Sequence, residues 1–226
     1  MKITHYRALG LSYATLVDRE RGILEGLRPL AAQSARPLDD PQILDAYRYL
    51  SVQLARQASS PAALHGQLYQ RLAQQLLLVP DWEASVAFGS AAAQWPIYED
   101  APGALQYLSK FYRLILIAPR HGIDIESLTR RLPITFDAIV EPDDDDWRPA
   151  LAQALQTIEV PRMDMLPVRS SEPDDPWNSL VDFPICTLRR TQAQPWNMSN
   201  SALDAKRCEY ASLADMTHAH QRALRA

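Results

Sequence analysis

Ala8-Leu9-Gly10-Leu11-Ser12-Tyr13-Ala14-Thr15-Leu16-Val17, followed at once by Asp18-Arg19-Glu20-Arg21-Gly22, is the stretch that decides how the rest of the chain is read. Residues 8–17 are short and apolar, and a charged amphipathic pattern begins at Asp18, which predicts a strand, a turn and then a helix. From there to about Trp95 only helical periodicity is present: Ile23, Leu24, Leu27 and Leu30; then Ile43, Leu44, Tyr47, Leu50 and Leu54; then Leu64, Leu68, Leu72 and Leu76. The breaks fall at Arg36-Pro37, Ser59-Ser60-Pro61 and Val79-Pro80, where proline or a serine pair precedes a new helix. A small helical bundle is therefore expected over residues 18–95, with Tyr47, Tyr49, Tyr69, Trp82, Phe88 and Trp95 read most simply as its core and its packing against the rest of the chain.

After Pro96 the pattern alternates. Helix is expected at 100–110, strand at Leu114–Ile117, helix at 123–131, strand at Phe136–Val140, helix at 147–158 and strand at 164–168. Helix 176–182, strand Pro184–Leu188 and a last helix from about Ser212 complete the series. Strands alternating with helices imply an α/β fold, a doubly wound parallel sheet covered on both faces. The helical stretch would then be a cap inserted after the first strand, with residues 1–17 and 96–226 forming the core. Small molecules bind such sheets at the carboxyl ends of the strands, here in a cleft between cap and core.

Composition narrows the function. An apolar fraction of 47% and a charged fraction of 22% are those of an ordinary globular protein, and a net charge of −4 gives no basic footprint for nucleic acid and no attraction to a membrane surface. Seven glycines against seventeen prolines argue against a nucleotide enzyme, whose phosphate loops need glycine where amides approach an anion. The opening Met1-Lys2-Ile3-Thr4-His5-Tyr6 has no signal-like apolar run, and no stretch is long enough to span a bilayer, so a cytoplasmic protein is expected. Cys186 and Cys208 are distant in sequence and form no zinc spacing, which predicts two reduced thiols.

Tyr6-Arg7-Ala8-Leu9 with Tyr13–Gly22 resembles the opening of the L-2-haloacid dehalogenases of the haloacid dehalogenase superfamily. The resemblance continues at Trp95-Pro96, Ala101-Pro102, Tyr112–Leu116, Phe136–Ile139 and Tyr210–Asp215. It implies the cap-and-core fold, and it implies that an aspartate at the end of the first strand should attack the substrate carbon to form an ester. That aspartate is missing. Depending on where one residue is deleted, Leu11 or Ser12 stands in its place. The second strand end, a Ser-Asn pair in the family, reads Ala118-Pro119, and the family lysine is matched by Arg148, which keeps the charge but is bulkier and planar. The last strand end, Ser170-Ser171-Glu172-Pro173-Asp174-Asp175, resembles a segment of the form SSNxxD, with Glu172 for the asparagine and Asp174 or Asp175 for the aspartate. The resemblance thus implies a degenerate site, neither dehalogenase nor phosphatase.

The substitutions run from an anion site toward an apolar cleft, so the expected ligand is a largely apolar small molecule. A reaction without nucleophile, metal or redox cofactor would be a cyclisation or isomerisation, such as an intramolecular cycloaddition in secondary metabolism. Tyr13, Thr15, Arg120 and Arg148 are the candidate donors, Glu172 or Asp174 the candidate base, and Leu11, Ala118 and Trp177 the walls; Ser12, His121 and Ser170 complete the ligand-binding set. No cofactor and no metal are called for, because Asp143–Asp146 reads as a solvated loop. Hydrolysis from Ser12 is the least favoured chemistry, His121 being the one remote base on offer. A noncatalytic binding or regulatory protein is the alternative function. Self-association as a homodimer is what the resemblance implies for the cap helices.

Overall fold

A computed structural model describes residues 3–55, 57–118, 124–141, 147–172, 175–179, 184–190 and 207–225 of the chain. Its strands are β1 (Ala8–Ser12), β2 (Arg113–Ile117), β3 (Ala138–Val140), β4 (Met165–Ser170), β5 (Ile185–Leu188) and β6 (Arg207–Tyr210). They form one sheet in the order β3-β2-β1-β4-β5-β6, every pairing parallel. The helices are α1 (Arg19–Ala31), α2 (Asp40–Leu54), α3 (Pro61–Gln75), α4 (Trp82–Ala91), α5 (Ala101–Leu108), α6 (Ile125–Arg130), α7 (Arg148–Thr157) and α8 (Leu213–Arg225). The α/β fold with a parallel sheet is the one expected from the alternation of elements.

The chain gathers into two compact units. One holds the six strands with α5, α7 and α8; the other holds α1 to α4 and α6. Alternation along the sequence had grouped α6 with the sheet. Its hydrogen bonds go instead to the end of the helical stretch: the Ser127 hydroxyl and the Arg131 guanidinium both donate to the Ala93 carbonyl, and Arg131 also donates to that of Trp95.

In the sheet unit, β1 is buried along its whole length, as a central parallel strand must be. Pleating puts Ala8, Gly10 and Ser12 toward one face and Leu9 and Leu11 toward the other. On the first face Ala8, Ile115, Ile117 and Val140 pack with Leu151 and Leu155 of α7 and with Trp147 and Trp177. Trp177 lies over Gly10, so close that a β-carbon there would sit 2.7 Å from its ring, and its indole N–H donates to the Gly10 carbonyl at 2.9 Å. Glycine at position 10 is a space requirement for that tryptophan.

Three local expectations are corrected. The first strand ends at Ser12 rather than Val17, because Thr15 donates its hydroxyl to the Ser12 carbonyl at 2.6 Å and the Leu16 amide donates to Tyr13 at 2.9 Å, winding residues 13–15 into a 3-10 turn. Helix 176–182 is a 3-10 turn over Pro176–Ser179, and residues 180–182 lie outside the described part. Strand β6 has no counterpart in the sequence reading. Arg-Cys-Glu-Tyr at the open edge of a sheet needs one neighbour only and carries no apolar run.

In the helical unit each helix start is capped as its sequence dictates. Asp18, Asp39, Ser60 and Asp81 accept amide hydrogens of their own first turns, Asp39 and Gln42 closing a reciprocal capping box. Among the aromatics expected in the bundle core, Tyr47, Tyr69, Phe88 and Trp95 are buried, but Tyr49 and Trp82 are 60% and 70% exposed. Both correct the expectation, since aromatic identity was read there without a fixed helix face. At the centre, fully buried His65 packs edge-on against Trp95 and Phe88. Its Nδ1 lies 2.8 Å from the Pro61 carbonyl, which can only accept, so Nδ1 carries the hydrogen and Nε2 accepts from the Tyr47 hydroxyl at 2.9 Å. The ring is a satisfied core histidine whose pKa is depressed by burial.

Candidate active site at the carboxyl end of the sheet

β1 and β4 lie side by side, so the register Leu11↔Val168 brings the ends of the two strands together. Ser12 closes β1 and Ser170 closes β4. Beyond Ser170 the chain turns back at Asp175, whose carboxylate fixes the turn by accepting the Ser170 amide at 2.8 Å on Oδ2 and the Trp177 amide at 3.0 Å on Oδ1. An aspartate bonding the amide two residues on is the ordinary Asx arrangement that starts a turn. The Ser12 hydroxyl donates to the same Oδ2 at 2.5 Å, across 163 positions of sequence.

The carboxylate is thereby filled. It accepts the hydroxyls of Ser12 and Ser170 and the amides of Ser170 and Trp177, about the capacity of an ionised carboxyl group. Burial nevertheless dominates and raises the Asp175 pKa above the ordinary carboxylate range, with these hydrogen bonds opposing it. The Ser170 hydroxyl also accepts the Glu172 amide at 3.1 Å, and Asn178 donates its side-chain amide to the Glu172 carbonyl at 3.0 Å. Ser12, Thr15, Ser170, Glu172 and Asp175 form a buried polar row in an otherwise apolar strand-end region.

Of Leu11 and Ser12, the two residues that the resemblance set at the end of the first strand, Ser12 is the one whose side chain enters this network. Leu11 lies one residue back, fully buried between Leu116 and Val168. Tyr13 and Thr15 are buried in the 3-10 turn, and the Thr15 hydroxyl is already committed to the Ser12 carbonyl. Ala118 is buried just past β2, while Trp177 serves the core on the face above Gly10. Arg148 opens α7 as an exposed residue, unlike the buried row. Arg120, His121 and Asp174 lie outside the described residues, as does Asp143–Asp146. Among the described residues no cluster of three His, Cys, Asp or Glu side chains could hold a metal ion, and no helix is long and apolar enough to cross a membrane.

Two residues gained importance only from the coordinates. Asp175 was one of two alternatives in sequence, and the signal that favours it is Asp-Pro-Trp, an acidic residue set to cap the turn that follows. Arg190, just past β5, had no local signal. Its guanidinium donates twice to the Thr15 carbonyl, at 3.1 and 2.8 Å, pairs with Asp100 at 2.7 Å and lies 4.1 Å over the Tyr98 ring. With its side chain only 5% exposed, it holds the turn that follows Ser12.

No family model and no curated protein matches the chain. Solved structures do match. An L-2-haloacid dehalogenase from Xanthobacter autotrophicus with chloropropionic acid covalently bound is 17% identical, with a TM-score of 0.65, covering 98% of this chain and 99% of that one. A defluorinating L-2-haloacid dehalogenase is 15% identical, with a TM-score of 0.66 and coverage of 98% and 96%. A haloacid dehalogenase-like family hydrolase from Xanthomonas campestris is 14% identical, with a TM-score of 0.61 and coverage of 98% and 94%. The chain therefore has the haloacid dehalogenase-like fold along nearly its whole length; identities this low speak for the fold alone.

Proposed function

We propose that this chain is a repurposed protein of the haloacid dehalogenase fold, neither dehalogenase nor phosphatase. It binds a largely apolar small molecule at the carboxyl edge of the core sheet and catalyses a cofactor-free cyclisation or isomerisation. The observation that carries this is the buried hydrogen bond from Ser12 to Asp175. A serine at the end of β1 cannot form the aspartyl ester on which dehalogenation depends, but a serine joined to a carboxylate of raised pKa can relay a proton. As Ser12 Oγ takes a proton from a ligand carbon, its own passes to Asp175. The reverse transfer delivers a proton to a second ligand atom, so the relay ends unchanged. Burial strengthens every electrostatic contact in such a relay, and Leu11 and Ala118 supply the apolar surroundings. Asp175 takes the role of base that the sequence offered to Glu172 or Asp174.

Native mass spectrometry of protein purified from its producing cells tests this. A retained apolar compound, incubated with the protein in deuterated water, should gain deuterium at carbon with the wild type and lose that gain with Asp175→Asn. A compound whose hydrogens never exchange, or full turnover by the Asp175→Asn variant, would sink the relay.

A second function, noncatalytic binding or regulation, is favoured by one specific observation. Ser12, Thr15, Ser170 and Asp175 bond chiefly to one another or to nearby backbone and are at most 4% exposed, as in a finished structural network. Protein that purifies without a small molecule but with a stoichiometric protein partner would favour that function.

A further inference from the structure

The two cysteines of the chain, Cys186 and Cys208, are separated by 22 positions in sequence, yet the sheet sets them side by side. They are direct register partners on the adjacent parallel strands β5 and β6. In-register residues of neighbouring strands point to the same face with their α-carbons about 4.8 Å apart, inside the range that a disulfide spans. The thiols are hydrogen-bonded to each other, Cys186 is fully buried and Cys208 half-buried.

We propose that Cys186 and Cys208 form a reversible, oxidation-sensitive dithiol, closed to a disulfide by a hydroperoxide, with Cys208 as the attacking thiol and Cys186 as the resolving one. Cys208 sulfur attacks the peroxide oxygen, the O–O bond breaks, and a sulfenic acid forms at Cys208 as water leaves. Cys186 sulfur then attacks Cys208 sulfur, the S–O bond breaks, and a second water leaves. Two thiols and one hydrogen peroxide give one disulfide and two waters, the pair losing two electrons and two protons.

Two features assign the roles. Cys208 is the more accessible sulfur, and the hydrogen bond from the Cys186 thiol depresses the Cys208 pKa, whereas burial pushes the Cys186 thiol up. Geometry also sets the character of the bridge. Parallel in-register strands hold the β-carbons near their own spacing, and a disulfide draws them to about 3.8 Å. The bridge must therefore pull β6 toward β5, which β6 can allow because it is the edge strand with a single neighbour. Strained bridges of this kind are reducible ones, suited to switching rather than to permanent stapling. The switch lies near the site, since Cys186 shares a row of the sheet with Val168 and Leu11, one residue before Ser12, and β5 leads to Arg190, which holds the Thr15 turn.

The full chain is exposed to hydrogen peroxide, alkylated and mapped without reduction. Expected are one linked peptide holding Cys186 and Cys208, monomeric migration without reductant, simultaneous loss of both alkylation sites, and reversal by reduced glutathione. In Cys186→Ser, Cys208 should continue to sulfinic acid for want of a resolving thiol. In Cys208→Ser, whose substituted side chain is half-buried and tolerant of change, Cys186 should oxidise about tenfold more slowly than in the wild type, as its burial dictates. Three results would overturn the proposal: bridges between chains, a linked peptide that survives glutathione, or Cys186 reacting at the wild-type rate in Cys208→Ser. The last arm stands even if Cys186→Ser does not fold.

Discussion

Both units of the molecule bury a hydroxyl against a titratable group, and two of these pairs, one from each unit, behave oppositely. In the sheet unit Ser12 donates to Asp175 at 2.5 Å; in the helical unit Tyr47 donates to His65 at 2.9 Å. Burial drives both groups toward their neutral forms, raising the pKa of the acid and lowering that of the base. Protonation charges His65 but discharges Asp175, so the desolvation that comes with burial resists it in the first pair and assists it in the second. The pairs also differ in construction. His65 is surrounded by aromatic rings and bonded four residues back along its own helix, whereas Asp175 is held by two strand ends that meet only in the folded sheet. A buried polar group can thus be core filling in one unit and a candidate relay in the other, and the deciding feature is what converges on it.

The sharpest way to break this contrast is to remove the carboxylate. Asp175→Ala leaves the Ser12 hydroxyl and the Ser170 and Trp177 amides without their shared acceptor in a buried place, and should cost on the order of 3–5 kcal/mol of stability. Asp175→Asn keeps one acceptor oxygen and should cost less than half as much. Urea unfolding of both variants measures the difference; equal losses would mean that shape rather than the acceptor holds the strand ends. In the helical unit the comparable lesion is steric. At Gly22 an added β-carbon would lie 2.4 Å from the Trp95 ring, so Gly22→Ala should cost about 1–3 kcal/mol and alter the near-ultraviolet tryptophan signal.

How far the sequence disclosed each unit follows from the same difference. The helical unit was legible because its signals are local. Leu64, Leu68 and Leu72 repeat at helical spacing, and Asp39, Ser60 and Asp81 cap the helices whose breaks were read at proline. What was missed there, the exposure of Tyr49 and Trp82, depends on how a helix is rotated, which residue type does not encode. The sheet was legible as far as apolar runs reach, hence β2 and its Leu-Ile-Leu-Ile, but edge strand β6 carries no such run. The site was half legible. That residues 11–12 carry no carboxylate could be read directly, yet pairing Ser12 with Asp175 requires parallel register between strands some 150 positions apart, and Arg190 is tied to Thr15 from still farther away.

The smallest expected effects concern protons. His65 has a folded pKa below its unfolded value of 6.5, so its contribution is fully present above pH 6.5 and is lost as pH falls through the lowered folded value. Asp175 has the opposite sign: its folded pKa is raised, so its contribution is present below 3.8 and is lost as pH rises through the raised value. Segment-resolved hydrogen exchange separates the two, because α2 and α3 should lose protection on acidification from pH 7 to pH 5 while β1 and β4 do not follow. Tyr47→Phe isolates the hydroxyl. It leaves Nε2 of His65 without its donor, at a cost of about 1 kcal/mol above pH 6.5. Phenylalanine preserves the stacking on the imidazole and removes an oxygen whose hydrogen points at the base, so desolvation of a charged ring is unchanged and the acid-sensitive window should persist. A variant that lost the pH dependence together with that hydrogen bond would show that Tyr47, rather than burial among the rings, sets the protonation of His65, and the contrast with Asp175 would then rest on partners in both units.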